Sequence, residues 1–213
     1  MKTNHLYATI LVASALCGAA QIAGAGPQIR SGTFQTGKGH SGTFTQTINR
    51  DAGQYSRVTT GSNGKTATVD RTATHSGATT TVDGTRTGFD GKTSTCNNTF
   101  TGNGNGTASV TGQYTRQNGS TIDTSGTVTK TGDGRTATGA YSTSNGKSGN
   151  YSIDVVNADG THTKTETITG ADGKTSTRVI TTDKDGNNID RTVATTGPGG
   201  QTETHSGSVT FNP

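Results

Sequence analysis

The 213-residue chain has no Trp, one Met, two Cys and three Pro, and hydrophobic residues make up only 25% of it. Each shortage closes off a class of fold or function. So little Leu, Ile, Val and Phe cannot build a thick two-sheet core or a helical bundle, and in an aperiodic chain it would mean disorder. The prolines, Pro27, Pro198 and Pro213, fall at the ends or in a turn, so none interrupts a sheet. Strong helix formers such as Leu and Glu are nearly missing past the N-terminus, which predicts no helix there. The only long apolar stretch runs from Leu6 to Ala20, about 15 residues, short of the roughly 20 that a spanning helix needs.

That stretch follows Lys2 and precedes Ala23-Gly24-Ala25, an A-x-A-type cleavage site, so residues 1–25 read as a secretory signal peptide and 26–213 as a single Gly/Thr-rich domain. The alternative, a lipoprotein signal at Cys17, is disfavoured by the bulky Leu16 before it. Export places the protein outside the cell, at the cell surface or in a periplasm. Removing the leader also takes Cys17 and leaves Cys96 alone, so an internal disulfide is excluded and Cys96 reads as a small buried residue, less often as an intermolecular crosslink. With Lys2 gone, 17 bases face 14 acids, a net charge of +3. The bases are scattered, without runs or interleaved aromatics, which points away from nucleic acid.

What the chain does have is period. Runs of about nine β-branched, alternating residues are closed by Asn-Gly or Asp-Gly, as in Thr161–Thr169, Gly170-Ala-Asp-Gly, Lys174–Thr182 and Asp183-Lys-Asp-Gly. After Thr47 the key turn glycines are Gly53, Gly64, Gly77, Gly91, Gly106, Gly119, Gly134, Gly146, Gly160, Gly173, Gly186 and Gly200, spaced 11 to 15 residues apart, one strand and one turn each. Asn-Gly and Asp-Gly tolerate the positive φ of hairpin turns. The expectation is therefore an all-β antiparallel up-and-down meander of about thirteen short strands, closed into a barrel or left as a thin twisted sheet. A β-solenoid is the alternative, but it requires corners at a stricter period.

Alternation assigns two faces. Thr66, Thr68, Thr72 and Thr74 point one way and Ala67, Val69 and Ala73 the other; Thr107, Thr111 and Thr115 oppose Ala108, Val110 and Tyr114, and Thr121, Thr127 and Thr129 oppose Ile122 and Val128. One face is a threonine field, the other a thin apolar stripe whose members stabilise by roughly 1.5–3 kcal/mol each if fully buried. Closure would let these stripes meet and would remove exposed edges. A lipid-facing barrel needs an apolar band and aromatic girdles, which threonine, alanine and scattered Arg71, Arg86 and Arg191 do not supply. A membrane-spanning mature protein is not expected.

The residues that could carry chemistry are few. His40 and His75 read as turn residues, and His162 and His205 as solvated positions on charged strand faces. Without Cys-x-x-Cys or His-x-x-x-His spacing no metal site is expected; His205 with Glu203 would need the Asp190 region aligned beside it. Asp90, Asp133, Asp159, Asp172, Asp183 and Asp185 fit turn geometry, and Lys184 breaks the calcium-loop pattern at Asp183–Gly186. No nucleophile, base and orienting acid come together, so no catalytic residue and no cofactor are assigned and the chain is read as non-enzymatic.

The threonine field is the one patterned surface. Thr161, Thr163, Thr165, Thr167 and Thr169, continued by Thr175 and Thr177, would form a grid of hydroxyls and methyls about 6.7 Å apart along a strand and about 4.7 Å across strands. Over these short segments the pattern resembles the Thr-x-Thr arrays of ice-binding β-solenoids, without their strict repeat. The expectation is a structural or adhesive β-repeat protein acting through an extended surface, or through strand edges that pair in self-association. The alternative is a binding module for ice or polysaccharide on Thr161, Thr163, Thr165, Thr167, Thr175 and Thr177.

Overall fold

The computed structural model describes residues 26–212, so the leader expected over residues 1–25 lies outside the described residues. Fourteen strands follow one another: β1 (Gln28–Thr36), β2 (Ser41–Asn49), β3 (Gln54–Gly61), β4 (Thr66–Ser76), β5 (Thr79–Thr87), β6 (Thr93–Gly102), β7 (Thr107–Thr115), β8 (Thr121–Lys130), β9 (Gly134–Thr143), β10 (Ser148–Ala158), β11 (Thr161–Gly170), β12 (Thr175–Asp185), β13 (Asn188–Thr196) and β14 (Thr202–Phe211). Every strand pairs antiparallel with its sequence neighbours, and β1 pairs with β14, closing a barrel. The meander and the closed form of it are as expected; the thin open sheet and the solenoid are not what the chain adopts.

The strand count exceeds the expected thirteen by one. The hairpin joining β1 to β2 turns through Thr36-Gly-Lys-Gly-His40, ahead of the point where the turn series was taken to begin. Gly134 also differs from its expected role. It has no positive φ and opens β9, where a Cβ would fall 1.8 Å from the Val155 carbonyl oxygen.

The turns at the two ends of the barrel differ. At one end each hairpin repeats a single hydrogen-bond pattern, seen in Gly61-Ser-Asn-Gly-Lys65: the Gly61 N–H donates to the Lys65 carbonyl and the Gly64 N–H to the Gly61 carbonyl. This is a type I turn followed by a left-handed glycine, here Gly64 at φ 77°. The residue before that glycine is chosen for its side chain. Asn63, Asp90, Asn118 and Asp172 each accept, at 3.1–3.2 Å, the N–H two residues on. The opposite end includes two-residue reversals such as Asp159-Gly160, where both residues have positive φ.

Alternation sends one set of side chains into the barrel and the other to its outer wall. Ile122, Ala137, Tyr141, Tyr151, Ile153, Val155 and Ile168 form the main core beneath β8–β11, and Val82, Phe100 and Val110 a smaller one beneath β5–β7. The inward stripe read from Ala67, Val69, Val110, Ile122 and Val128 is therefore correctly placed. With so few large residues, the wall is drawn together by inward glycines set against them. A Cβ on Gly32 would meet the Phe44 ring at 2.9 Å, one on Gly42 the Phe34 ring at 2.7 Å, and one on Gly149 the Tyr141 ring at 2.9 Å. The Tyr151 hydroxyl lies 2.7 Å from the Cβ positions of both Gly126 and Gly139. Strand glycines thus form the sockets into which neighbouring side chains fold.

Gly139→Val fills such a socket and meets the Ser125 carbonyl oxygen, 2.0 Å from the added Cβ. Urea denaturation should show a loss of about 1–3 kcal/mol or more, whereas Gly132→Ala, with open space around its Cβ, leaves the midpoint unchanged.

Candidate functional site

The outer wall is built from the residues that alternate away from the core, and these are almost all hydroxyl or amide bearing. On β11, Thr161, Thr163, Thr165, Thr167 and Thr169 all face outward, in register with Asp183, Thr181, Val179, Thr177 and Thr175 of β12. Thr181 is in turn paired with Thr192 of β13, and Thr177 with Thr196, which continues to Thr202 of β14. The candidate residues Thr161, Thr163, Thr165, Thr167, Thr175 and Thr177 are thus brought onto one patch spanning two neighbouring strands and extended by a third.

Several of these hydroxyls are fixed by cross-strand partners. Thr161 Oγ1 donates to Asp183 Oδ1 at 2.6 Å, and Thr169 and Thr175 share a hydrogen bond of 3.2 Å. Elsewhere on the wall Asn97 donates to Asp83 at 2.6 Å and Gln113 to Asp123 at 2.8 Å, and Thr196 meets Thr202 at 2.8 Å. Cross-strand polar pairs of this kind hold register and leave an orderly polar surface. Thr163, Thr165 and Thr167 stand on the same outward side and are partly exposed to solvent.

Charge is divided by the same alternation. Within the strands, Arg30, Arg57, Arg71, Arg86, Lys130, Arg135, Lys164, Arg178, Lys184 and Arg191 all take inward positions. Asp70, Asp83, Asp123, Asp154, Asp183, Asp185 and Asp190 take outward ones. Arg71, Arg86 and Arg191, counted from sequence against a lipid-facing band, accordingly line the interior, and it is aspartates and threonines that occupy the outside. No helix among the described residues is long and apolar enough to cross a membrane.

The interior of β11 departs from what its sequence suggested. Lys164 and Glu166 alternate with the threonines, and both are buried, 6% and 5% exposed. Lys164 Nζ lies 2.5 Å from Glu166 Oε1, and Arg178 Nη1 lies 4.0 Å from Oε2. Burial pushes the Glu166 carboxyl up and the Lys164 ammonium down, while each partner's charge pulls the other back toward its ionised form. The strand face expected to be charged and solvated is, at this point, an ion pair inside the barrel.

The histidines also move. His75 belongs to β4 rather than a turn, with Nδ1 2.9 Å from Thr80 Oγ1. His40 closes the first hairpin, as expected. His162 takes an inward position, half-buried, with Nδ1 2.7 Å from Asn157 Oδ1, and burial first, then Arg135 and Lys164, pull its pKa down. His205 Nε2 lies 2.8 Å from Glu203 Oε1, on the inner side. Asp190 faces outward opposite Ser208, so the alignment that a metal at His205 would require does not form. Among the described residues no three His, Cys, Asp or Glu side chains are grouped to hold a metal. Cys96 is buried and its thiol is free, with burial raising its pKa.

Compared with known proteins, the chain matches no family model, no curated protein and no solved structure. What it does has to be argued from its own residues.

The buried pair gives a direct test of the interior. Glu166→Leu alone should cost about 3–5 kcal/mol in denaturant unfolding by removing the carboxylate that faces Lys164 and Arg178, and Lys164→Met combined with Glu166→Leu should recover most of the loss.

Proposed function

We propose that the chain is an exported, non-enzymatic surface protein that works through the outer wall of its barrel, in a structural or adhesive role. The observation that supports this reading is the hydroxyl coat: outward positions on successive strands are threonine, serine, asparagine or aspartate almost throughout, and those on β11–β13 align into rows. Export rests on the leader features of residues 1–25. An outer wall of this polarity, with Asp70, Asp83, Asp123 and Asp154 at mid-strand, favours water over lipid on that side.

Two routes to assembly were open from the sequence, and closure favours one. Strand-edge pairing needs a strand with one free side, whereas all fourteen strands are paired on two. The remaining route is the surface itself. Rows of hydroxyls at about 4.7 Å across strands and about 6.7 Å along them suit an extended hydroxylated partner, and polysaccharide is the partner whose hydrogen-bonding groups match most directly. Rigid strands present these groups already ordered, which lowers the entropic cost of binding.

The patch of Thr163, Thr167, Thr177, Thr181 and Thr192 also supports the second reading, an ice-binding face, because it repeats in two dimensions. The two readings separate in one set of measurements. Cosedimentation with insoluble polysaccharides should show saturable binding that falls at least tenfold in Thr163→Lys/Thr165→Lys, with the unfolding midpoint unchanged because both residues face outward. Thermal hysteresis that the same double substitution abolishes would assign the patch to ice. Neither binding nor hysteresis would remove the outer wall as the working surface.

A further inference from the structure

The division of charge leaves a cavity inside the barrel that the outer-wall reading does not use. It has a volume of about 420 Å³ and is walled by Arg57, Arg71, Arg86 and Arg191, with Tyr55 and Tyr114 among its other lining residues. No carboxylate lines it. Three of the arginines come from the adjoining strands β3, β4 and β5, where Arg57 and Arg86 both stand opposite Val69 and Arg71 stands two residues along the same strand, at its next inward position. The fourth reaches in from β13, four strands round the wall from β3.

Among the described residues these four guanidinium groups have no carboxylate at ion-pair distance. Arg57 lies over the Phe44 ring at 4.2 Å and Arg71 over Tyr55 at 5.6 Å, contacts that orient the planes and leave their charge unbalanced. The two strand acids that do point inward are ion-paired with other bases, Glu166 with Lys164 and Arg178, and Glu203 with His205 and Lys38, although the charge of Arg191 also reaches Glu166. Gly84 keeps the floor open, since a Cβ there would sit 2.7 Å from Cys96 Sγ and 3.5 Å from Arg71 Cγ.

Like charges gathered in a walled recess repel one another, and a cleft lined by one sign of charge concentrates counter-ions. Guanidinium is suited to that task because its planar fork bonds a carboxylate or phosphate through two parallel N–H donors. The volume falls in the range of small-molecule sites, and the two tyrosines add aromatic wall and hydroxyl donors. We infer that the barrel interior is a binding site for a small, multiply charged oxyanion, bearing phosphate or carboxylate groups, held by Arg57, Arg71, Arg86 and Arg191.

Isothermal titration calorimetry of the full chain, with sodium pyrophosphate and with trisodium citrate at constant ionic strength, tests this. A single saturable site is expected for at least one probe; pyrophosphate alone would mark a phosphate-bearing ligand and citrate alone a polycarboxylate. Arg86→Gln and Arg191→Gln, at cavity-lining positions that are exposed rather than packed and so tolerated by the fold, should each weaken binding at least tenfold. Arg116→Gln, in the separate cavity at the mouth of the barrel, should leave it unchanged. As a measure free of substitution, pyrophosphate or citrate should raise the unfolding midpoint more than sodium chloride of equal ionic strength. Heat that never saturates, a midpoint shift equal to that in chloride, or equal losses in all three variants would overturn the assignment.

Discussion

Backbone pairing, carried round the whole wall and closed between β1 and β14, is the constraint on which the rest of this molecule depends. Its side chains are too small and too polar to hold an open sheet against anything. Closure pairs the backbone of every strand on two sides, and it gives the chain's thin apolar stripes one another to pack against. The two interior clusters follow from that geometry, since Tyr151 and Ile168, opposite each other on β10 and β11, are joined in the same cluster by Ile122 from β8. A barrel of this kind spends its few large residues sparingly and uses glycine to draw strands close to them, as where Tyr151 sits over Gly126 and Gly139.

The outer wall and the interior are the two products of one alternation. A residue's parity along its strand decides whether it is solvated or enclosed, and here parity also sorts charge, with aspartate outside and arginine or lysine inside. The outside is thereby made polar, faintly acidic and rich in hydroxyls. The inside is part apolar packing, part ion pair and part cationic recess. A surface role and an interior site are compatible, because a change on one face reaches the other only through the backbone.

Most of the fold was legible in the sequence. Asp-Gly and Asn-Gly at near-constant spacing marked the reversals, and alternation marked the faces, because both signals are local and depend on nearest neighbours. The threonines of β11 were placed on the correct side for the same reason. What was not legible depended on which side of each strand the closed wall turns inward and on what gathers there. His162 read as a solvated position on a charged strand face, and nothing local reveals that on this same face Ile153 and Ile180 flank a buried Lys164 and Glu166 from β10 and β12. The convergence of Arg191 with Arg57, Arg71 and Arg86 was hidden likewise, since these residues are brought together only by the curvature of the closed wall. Strand glycines such as Gly126 and Gly139 were also silent, because a glycine that admits a neighbour's ring reads in sequence like any other break in a β-branched run.

The join between β1 and β14 differs from every other pairing in the wall. All the remaining neighbours are successive hairpins, so their pairings form between segments already close in the chain, at small cost in loop entropy. Only this join brings together the two ends, and it does so over the shortest register, Gly32–Thr36 against Gly207–Phe211. The sheet can therefore zip up hairpin by hairpin as the polypeptide emerges, and the last strand to arrive is the one that latches it. An assembly order written this way needs no distant partner until its final step, so closure of the wall is a single event that comes after all the local ones.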